Sequence, residues 1–171
     1  KPHVLSTFWI RRTIMDSNHG SVWRKWDFHV HTPYSILNNN FGFDPFELSD
    51  ATLESKFDEY VIKLFTAAVQ QEIAAIGITD YFMIEGYKRI KQNYLDCPEK
   101  MRQCFPDEAL RHAVEQIYVF PNIELRLNNF VGKGVHSVNY HVIFSSDVPI
   151  QEIEENFLHR LNFKISYTFK H

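Results

Sequence analysis

The sequence predicts an α/β fold on a mostly parallel sheet, in the order β-α-β-α-β-β-α with a strand-like tail. Three observations carry this. Residues 26–31 alternate with period two, residues 57–72 repeat apolar side chains at helical spacing, and AAIGIT at 74–79 is apolar nearly throughout, as a strand buried on both faces should be. Helices between successive strands imply right-handed crossovers, and so parallel neighbours. With 171 residues, 44% of them hydrophobic and 15% aromatic, the chain is long enough for one domain with its own core.

Residues 1–22 read as an extension of the domain, which then covers 23–171. Met15 followed by DSNHGSVWRKW looks like a native start, so 1–14 read as an appended or upstream segment. The alternative is an authentic N-terminal strand, with VLSTFWI pairing at a sheet edge. The first strand is 26–31, and Thr32, Pro33 and Ser35 end it. A long loop follows at 32–56; leaving directly from a histidine-bearing strand, it is expected to border a site. In the helix at 57–72, Phe57, Tyr60, Val61, Leu64, Phe65 and Ala68 form one apolar face, and Asp58 and Glu59 suit the positive end of its dipole.

The buried strand 74–79 leads into Asp80, and helical patterns at 85–95 and 107–116 are broken by Pro98 and Pro106. The next strand, 117–127, sets Ile123, Leu125 and Leu127 on one face and Asn122, Glu124 and Arg126 on the other. After a turn at 128–134, the strand 136–144 points Val138, Tyr140, Val142 and Phe144 one way and Asn139, His141 and Ile143 the other. A helix at 149–160 and the alternating tail NFKISYTFKH complete the chain.

The net charge of −3, from 18 basic and 21 acidic residues, announces no basic face for tight nonspecific nucleic-acid binding. Cys97 and Cys104 fit no zinc or redox spacing and read as free thiols. There is no long apolar run to span a membrane and no pattern of a signal peptide, so a cytoplasmic location is expected.

The chemistry concentrates in WDFHVHTPYS at 26–35. Period two sends Asp27, His29 and His31 from one strand face, an arrangement suited to a divalent metal; the bland alternative is a chance histidine pair. Glu124, flanked by Ile123 and Leu125, is costly to bury unless paired; its alternative is a surface pair with Arg126. His141 is either a further ligand or a satisfied core histidine, and Asp80 either a site residue at a strand end or a cap. His136 reads as an outer-shell group or a loop histidine, and His112 and His159 as surface positions on helices.

The string D-x-H-x-H-T-x-x-S, followed in order by GITDYF at 77–82, PNIELRL at 121–127 and VNYHVIF at 138–144, resembles the motifs of the PHP (polymerase and histidinol phosphatase) superfamily of metal-dependent phosphoesterases. WRKWDFHVHTP, AAIGITDYF and PNIELRL together look most like the N-terminal PHP domains of TrlF-type PHP–ATPase proteins, which are similar to DNA-repair or anti-phage nucleases. The resemblance implies a distorted seven-stranded (β/α)7 TIM-like barrel. A barrel of that kind needs at least about 200 residues, so a partial or truncated version is expected here, or one completed by a partner chain such as a second copy.

By the same resemblance, the metal ligands are His29, His31, Glu124 as a bridging carboxylate, and His141. Asp27 would hold a ligand's ring N–H, and Asp80 and Arg126 would serve catalysis, Arg126 by holding phosphate. Zinc, manganese or iron fits these donors, two ions being expected. Tyr81 replaces the histidine of the family's T-D-H motif, Ile36, Leu37 and Asn38 fill a region where some members carry a further histidine, and the late histidine and C-terminal D-x-H do not occur. The function implied is phosphoester hydrolysis on nucleic acid or nucleotides by metal-activated water. The alternatives are a non-catalytic metal-binding or structural module of a larger ATPase and a small-molecule phosphate monoesterase. No P-loop is present, so any ATPase lies outside this chain.

Overall fold

The computed structural model describes residues 23–37, 40–131 and 134–161, with side chains for all of these but 127–137. The extension expected at 1–22 and the tail from Asn162 onward lie outside them. The order is β1 (Lys25–His31), α1 (Asp50–Gln70), β2 (Ile73–Tyr81), α2 (Glu85–Ile90) continuing into a π-turn (Lys91–Leu95), α3 (Pro98–Cys104), α4 (Glu108–Glu115), β3 (Tyr118–Val131), β4 (Gly134–Ile143) and α5 (Ile150–Asn156), then a 3₁₀ turn (Leu158–Arg160).

The strands lie in chain order β1-β2-β3-β4 in one four-stranded sheet. β1–β2 and β2–β3 are parallel, and β3–β4 is antiparallel. The α/β class and the parallel crossovers agree with the sequence reading. The TIM-like barrel does not. Among the described residues β1 and β4 are both edges, and β4 returns by a hairpin where a (β/α) barrel would need a helix and another parallel strand. The result is a small α/β fold on a curled half-barrel sheet.

The local differences have local causes. α1 starts earlier than expected, because Leu53 extends the buried stripe by a turn even though its neighbours are polar. Pro98 does not break a helix but opens α3 at its first position, where its missing N–H costs nothing. α4 is capped by Asp107, whose carboxylate accepts from the Leu110 N–H at 2.7 Å. The strands β3 and β4 run further toward their hairpin tip than the turn at 128–134 implied.

One face of the sheet carries the helices. Phe57, Val61, Phe65 and Ala68 of α1 pack with Ile76 and Ile78 of β2, Val119 of β3, and Tyr87, Tyr94, Met101, Phe105 and Val114 from the intervening helices. A smaller cluster joins Ile123 and Leu125 of β3 to Ile84 and to Ile153 of α5, with Val142 and Phe144 packed against it. The cysteines are free, Cys104 buried and Cys97 half-buried. No helix among the described residues is long and apolar enough to cross a membrane.

β1 is irregular. Asp27 pairs with Ile76 but Val30 with Ile78, so β1 spends one more residue than β2 between the two pairings, a bulge at Phe28–His29. Opposite it lies Gly77, where a Cβ would come within 2.6 Å of the Phe28 carbonyl oxygen. That atom is backbone and cannot swing aside. Gly77→Ala should therefore force β1 and β2 apart, lowering the urea unfolding free energy by on the order of 1–3 kcal/mol. Unchanged stability would show that the close approach at the bulge is not needed.

Candidate metal centre

The sheet's other face carries the polar residues expected from the sequence, at the carboxyl ends of the parallel strands. Register aligns His31 of β1 with Thr79 of β2, Tyr81 of β2 with Glu124 of β3, and Glu124 with His141 of β4. In a flat sheet β1 and β4 would stand about 14 Å apart, three spacings of about 4.8 Å. The His29 and His141 rings are 4.5 Å apart. The curl of the sheet closes that gap, and it directs side chains of both edge strands over β3.

Glu124 lies at the centre and is fully buried. Its Oε2 is 3.1 Å from His29 Nε2 and 3.3 Å from His31 Nε2, and the two imidazole nitrogens are themselves 3.1 Å apart. His29, Glu124 and His141 each offer a ligand atom within 4.8 Å of the others. Two overlapping triads thus share His29 and Glu124. Donor atoms around a four- to six-coordinate ion with bonds of about 2.0–2.1 Å stand about 2.8–3.4 Å from one another, and the His29–His31–Glu124 triangle has that size. Glu124 Oε1 is buried with no hydrogen-bond partner among the described residues. A carboxylate removed from water with one oxygen unsatisfied is strongly disfavoured unless a cation or proton is supplied. The donor set therefore fits a divalent metal.

The imidazoles are held from behind. His31 Nδ1 is 2.9 Å from Ser35 Oγ, and His141 Nδ1 sits against the Asn122 amide. Burial lowers the pKa of His31, partly opposed by Glu124 and reinforced by His29, and burial likewise lowers that of His141. Both shifts favour the neutral imidazole, the form that ligates metals. Tyr81 stacks on His31 at 5.0 Å and 23°. Arg126 lies over the Tyr81 ring and donates to its hydroxyl at 3.2 Å. Tyr81 here is a wall for His31, not a ligand.

The remaining expected residues are placed differently. Asp27 is exposed, and its Oδ1 accepts from the His29 backbone N–H at 3.2 Å. It braces the bulge; the partners of the His31 and His141 Nδ1 atoms are Ser35 and Asn122. Asp80 is buried below the site, accepting from the Thr32 hydroxyl at 2.6 Å and the Gly86 N–H at 2.8 Å. It ties the end of β1 to the start of α2. A Cβ on Gly86 would collide with Thr32 Oγ1 and Asp80 Oδ2, so only glycine fits that corner. Between them Phe82 takes a left-handed φ of 62°, unusual for a bulky residue, and its N–H donates to the Glu124 carbonyl at 3.1 Å. The long loop does border the site, through Thr32 and Ser35. His112 and His159 are exposed, as expected, and the His136 side chain lies outside the described residues.

Sequence reasoning passed over Ser35, Asn122, Thr32 and Gly86. Asn122 alone carried a usable signal, since it shares a strand face with Glu124. No protein-family model, curated protein or solved structure matches the chain.

Burial raises the Asp80 pKa to about 6, against the pull of its two hydrogen-bond donors. The folded state thus holds a proton that the unfolded chain releases nearer pH 4. Stability from this group is complete below the unfolded pKa and is lost as pH rises through about 6, a change on the order of 3 kcal/mol. In urea titrations between about pH 4 and about pH 7, Asp80→Asn should flatten that part of the slope relative to wild type. Parallel curves would show that folding does not raise the Asp80 pKa.

Proposed function

We propose that this chain is a PHP-type, metal-dependent phosphoesterase domain acting on nucleic-acid or nucleotide phosphoesters. The observation that carries the reading is the buried Glu124 carboxylate, one oxygen shared by His29 and His31 and the other without a partner. The resemblance of four motifs in order supports the family part of the reading, and resemblance to PHP–ATPase proteins supports the nucleic-acid part.

His29, His31, Glu124 and His141 would hold divalent ions, zinc, manganese or iron; the Glu124 carboxylate could serve two of them, whereas His29, with one lone pair at Nε2, could serve only one. Such ions, when bound, lower the pKa of water and offset charge on phosphate oxygens. The chain's own residues do the positioning. Ser35 and Asn122 fix imidazole orientation, and Tyr81 covers one side of His31. Arg126, exposed at the rim and steadied by Tyr81, offers a guanidinium to a phosphate arriving from solvent. Asp80 contributes rigidity, by fixing the corner that follows β1.

A second reading is a metal-binding module that positions an attached ATPase without turnover. It draws on Tyr81, which stacks on His31 where the T-D-H motif would offer another nitrogen.

Elemental analysis of wild type, His31→Ala and Glu124→Gln should find about one or two transition-metal ions per chain in wild type and few in either variant. Manganese-supported cleavage of a chromogenic phosphodiester and of single-stranded DNA should exceed that of a monoester, and should fall by about 100-fold or more in Glu124→Gln. A wild-type protein that takes up no metal after dialysis against zinc and manganese overturns the catalytic reading. Metal uptake without hydrolysis of any of the three substrates selects the non-catalytic module.

A further inference from the structure

We infer that Asn122 is a positioning residue with two jobs, fixing the tautomer of His141 and pinning the β1 bulge that carries His29; the inference rests on the metal-centre reading above. Asn122 is buried on β3, two residues before Glu124 and on the same face. Its Nδ2 is 2.6 Å from the Phe28 carbonyl and 2.9 Å from Thr79 Oγ1. Those two acceptors use both hydrogens of the amide nitrogen.

The His141 ring fits what is left. Its Nδ1 lies 3.1 Å from Asn122 Nδ2 and 3.3 Å from Asn122 Oδ1. With the Nδ2 hydrogens committed, the productive partner is Oδ1, an acceptor. His141 Nδ1 must then carry the proton and donate it, which leaves the Nε2 lone pair free to ligate. Reversing the amide would set an oxygen against the Phe28 carbonyl, acceptor to acceptor, so the Phe28 contact fixes the orientation of the whole group.

The same amide reaches the opposite edge of the sheet. At the bulge the Phe28 carbonyl accepts from Asn122 Nδ2 and from the Thr79 hydroxyl (3.3 Å). His29 is the next residue. One side chain on β3 thus governs a ligand on β1 and a ligand on β4.

The test uses the whole chain with cobalt(II) as probe metal, read by calorimetry and by ligand-field absorption. Imidazole ¹⁵N correlation spectra of the metal-free protein read the tautomer independently, and circular dichroism monitors folding. Wild type should show His141 protonated at Nδ1. Asn122→Leu should lose that preference and about 10–100-fold in cobalt affinity. Asn122→Asp, which still accepts from Nδ1 but no longer donates to Phe28 O, should keep the tautomer and recover part of the affinity. An Asn122→Leu protein with the wild-type tautomer and unchanged cobalt affinity overturns the inference. So does an Asn122→Asp protein that loses the tautomer while folded, the arm that decides if the leucine variant does not fold. Wild type that binds no cobalt, yet shows the Nδ1–H tautomer and loses it in Asn122→Leu, overturns the metal reading and leaves the tautomer assignment standing.

Discussion

Glu124 is the constraint on which the other features depend. A carboxylate with no exposure has lost its water, and removing it from water costs several kcal/mol that neighbouring groups must offset. Here the nearest groups are imidazole nitrogens, and burial favours the neutral form of His31 and His141. His29 Nε2, His31 Nε2 and Glu124 Oε2, each able to carry a lone pair, lie 3.1–3.3 Å from one another. Acceptors aimed at acceptors, about 3 Å apart, repel unless a cation or shared proton sits among them. A surface pair of Glu124 with Arg126, the simplest alternative, is not what forms: Arg126 bonds to Tyr81 instead.

Two departures from regular sheet geometry make this convergence possible. The curl brings β1 and β4 side chains together over β3, and the bulge turns His29 toward His31 and Glu124. Both rely on the helices occupying the opposite face, where Phe57, Val61 and Phe65 pack on Ile76 and Ile78. The apolar layer supplies the hydrophobic stabilisation. The polar layer depends on it, because buried polar groups hold their geometry only while the surrounding packing fixes them.

Much of this was legible in the sequence, and the limits are physical. Glu124 stood out because an acid between Ile123 and Leu125 has no ordinary reason to be there. His29 and His31 stood out by period two. The same counting placed Asp27 with them, and there it failed: a bulge adds a residue, and Asp27 ends level with Ile76, on the helix-bearing face. Bulges have no reliable signature in a single sequence. The barrel was inferred from likeness, whereas closure is decided by how many strands pair and in which direction, and the β3–β4 hairpin settles the direction locally. Ser35 was silent because a serine in a loop is common, and Asn122, though it shares the Glu124 face, gains its partners only through three-dimensional placement.

Exposure across the centre is graded from the edge strand inward. The His29 side chain is 52% exposed, that of His31 17%, and Glu124 is closed off completely. His29 lies on an edge strand of the described sheet, beside the loop that supplies Ser35. The protected carboxylate is thus reached past His29, with Arg126 at the rim over Tyr81. Among the described residues this approach lies along a sheet edge.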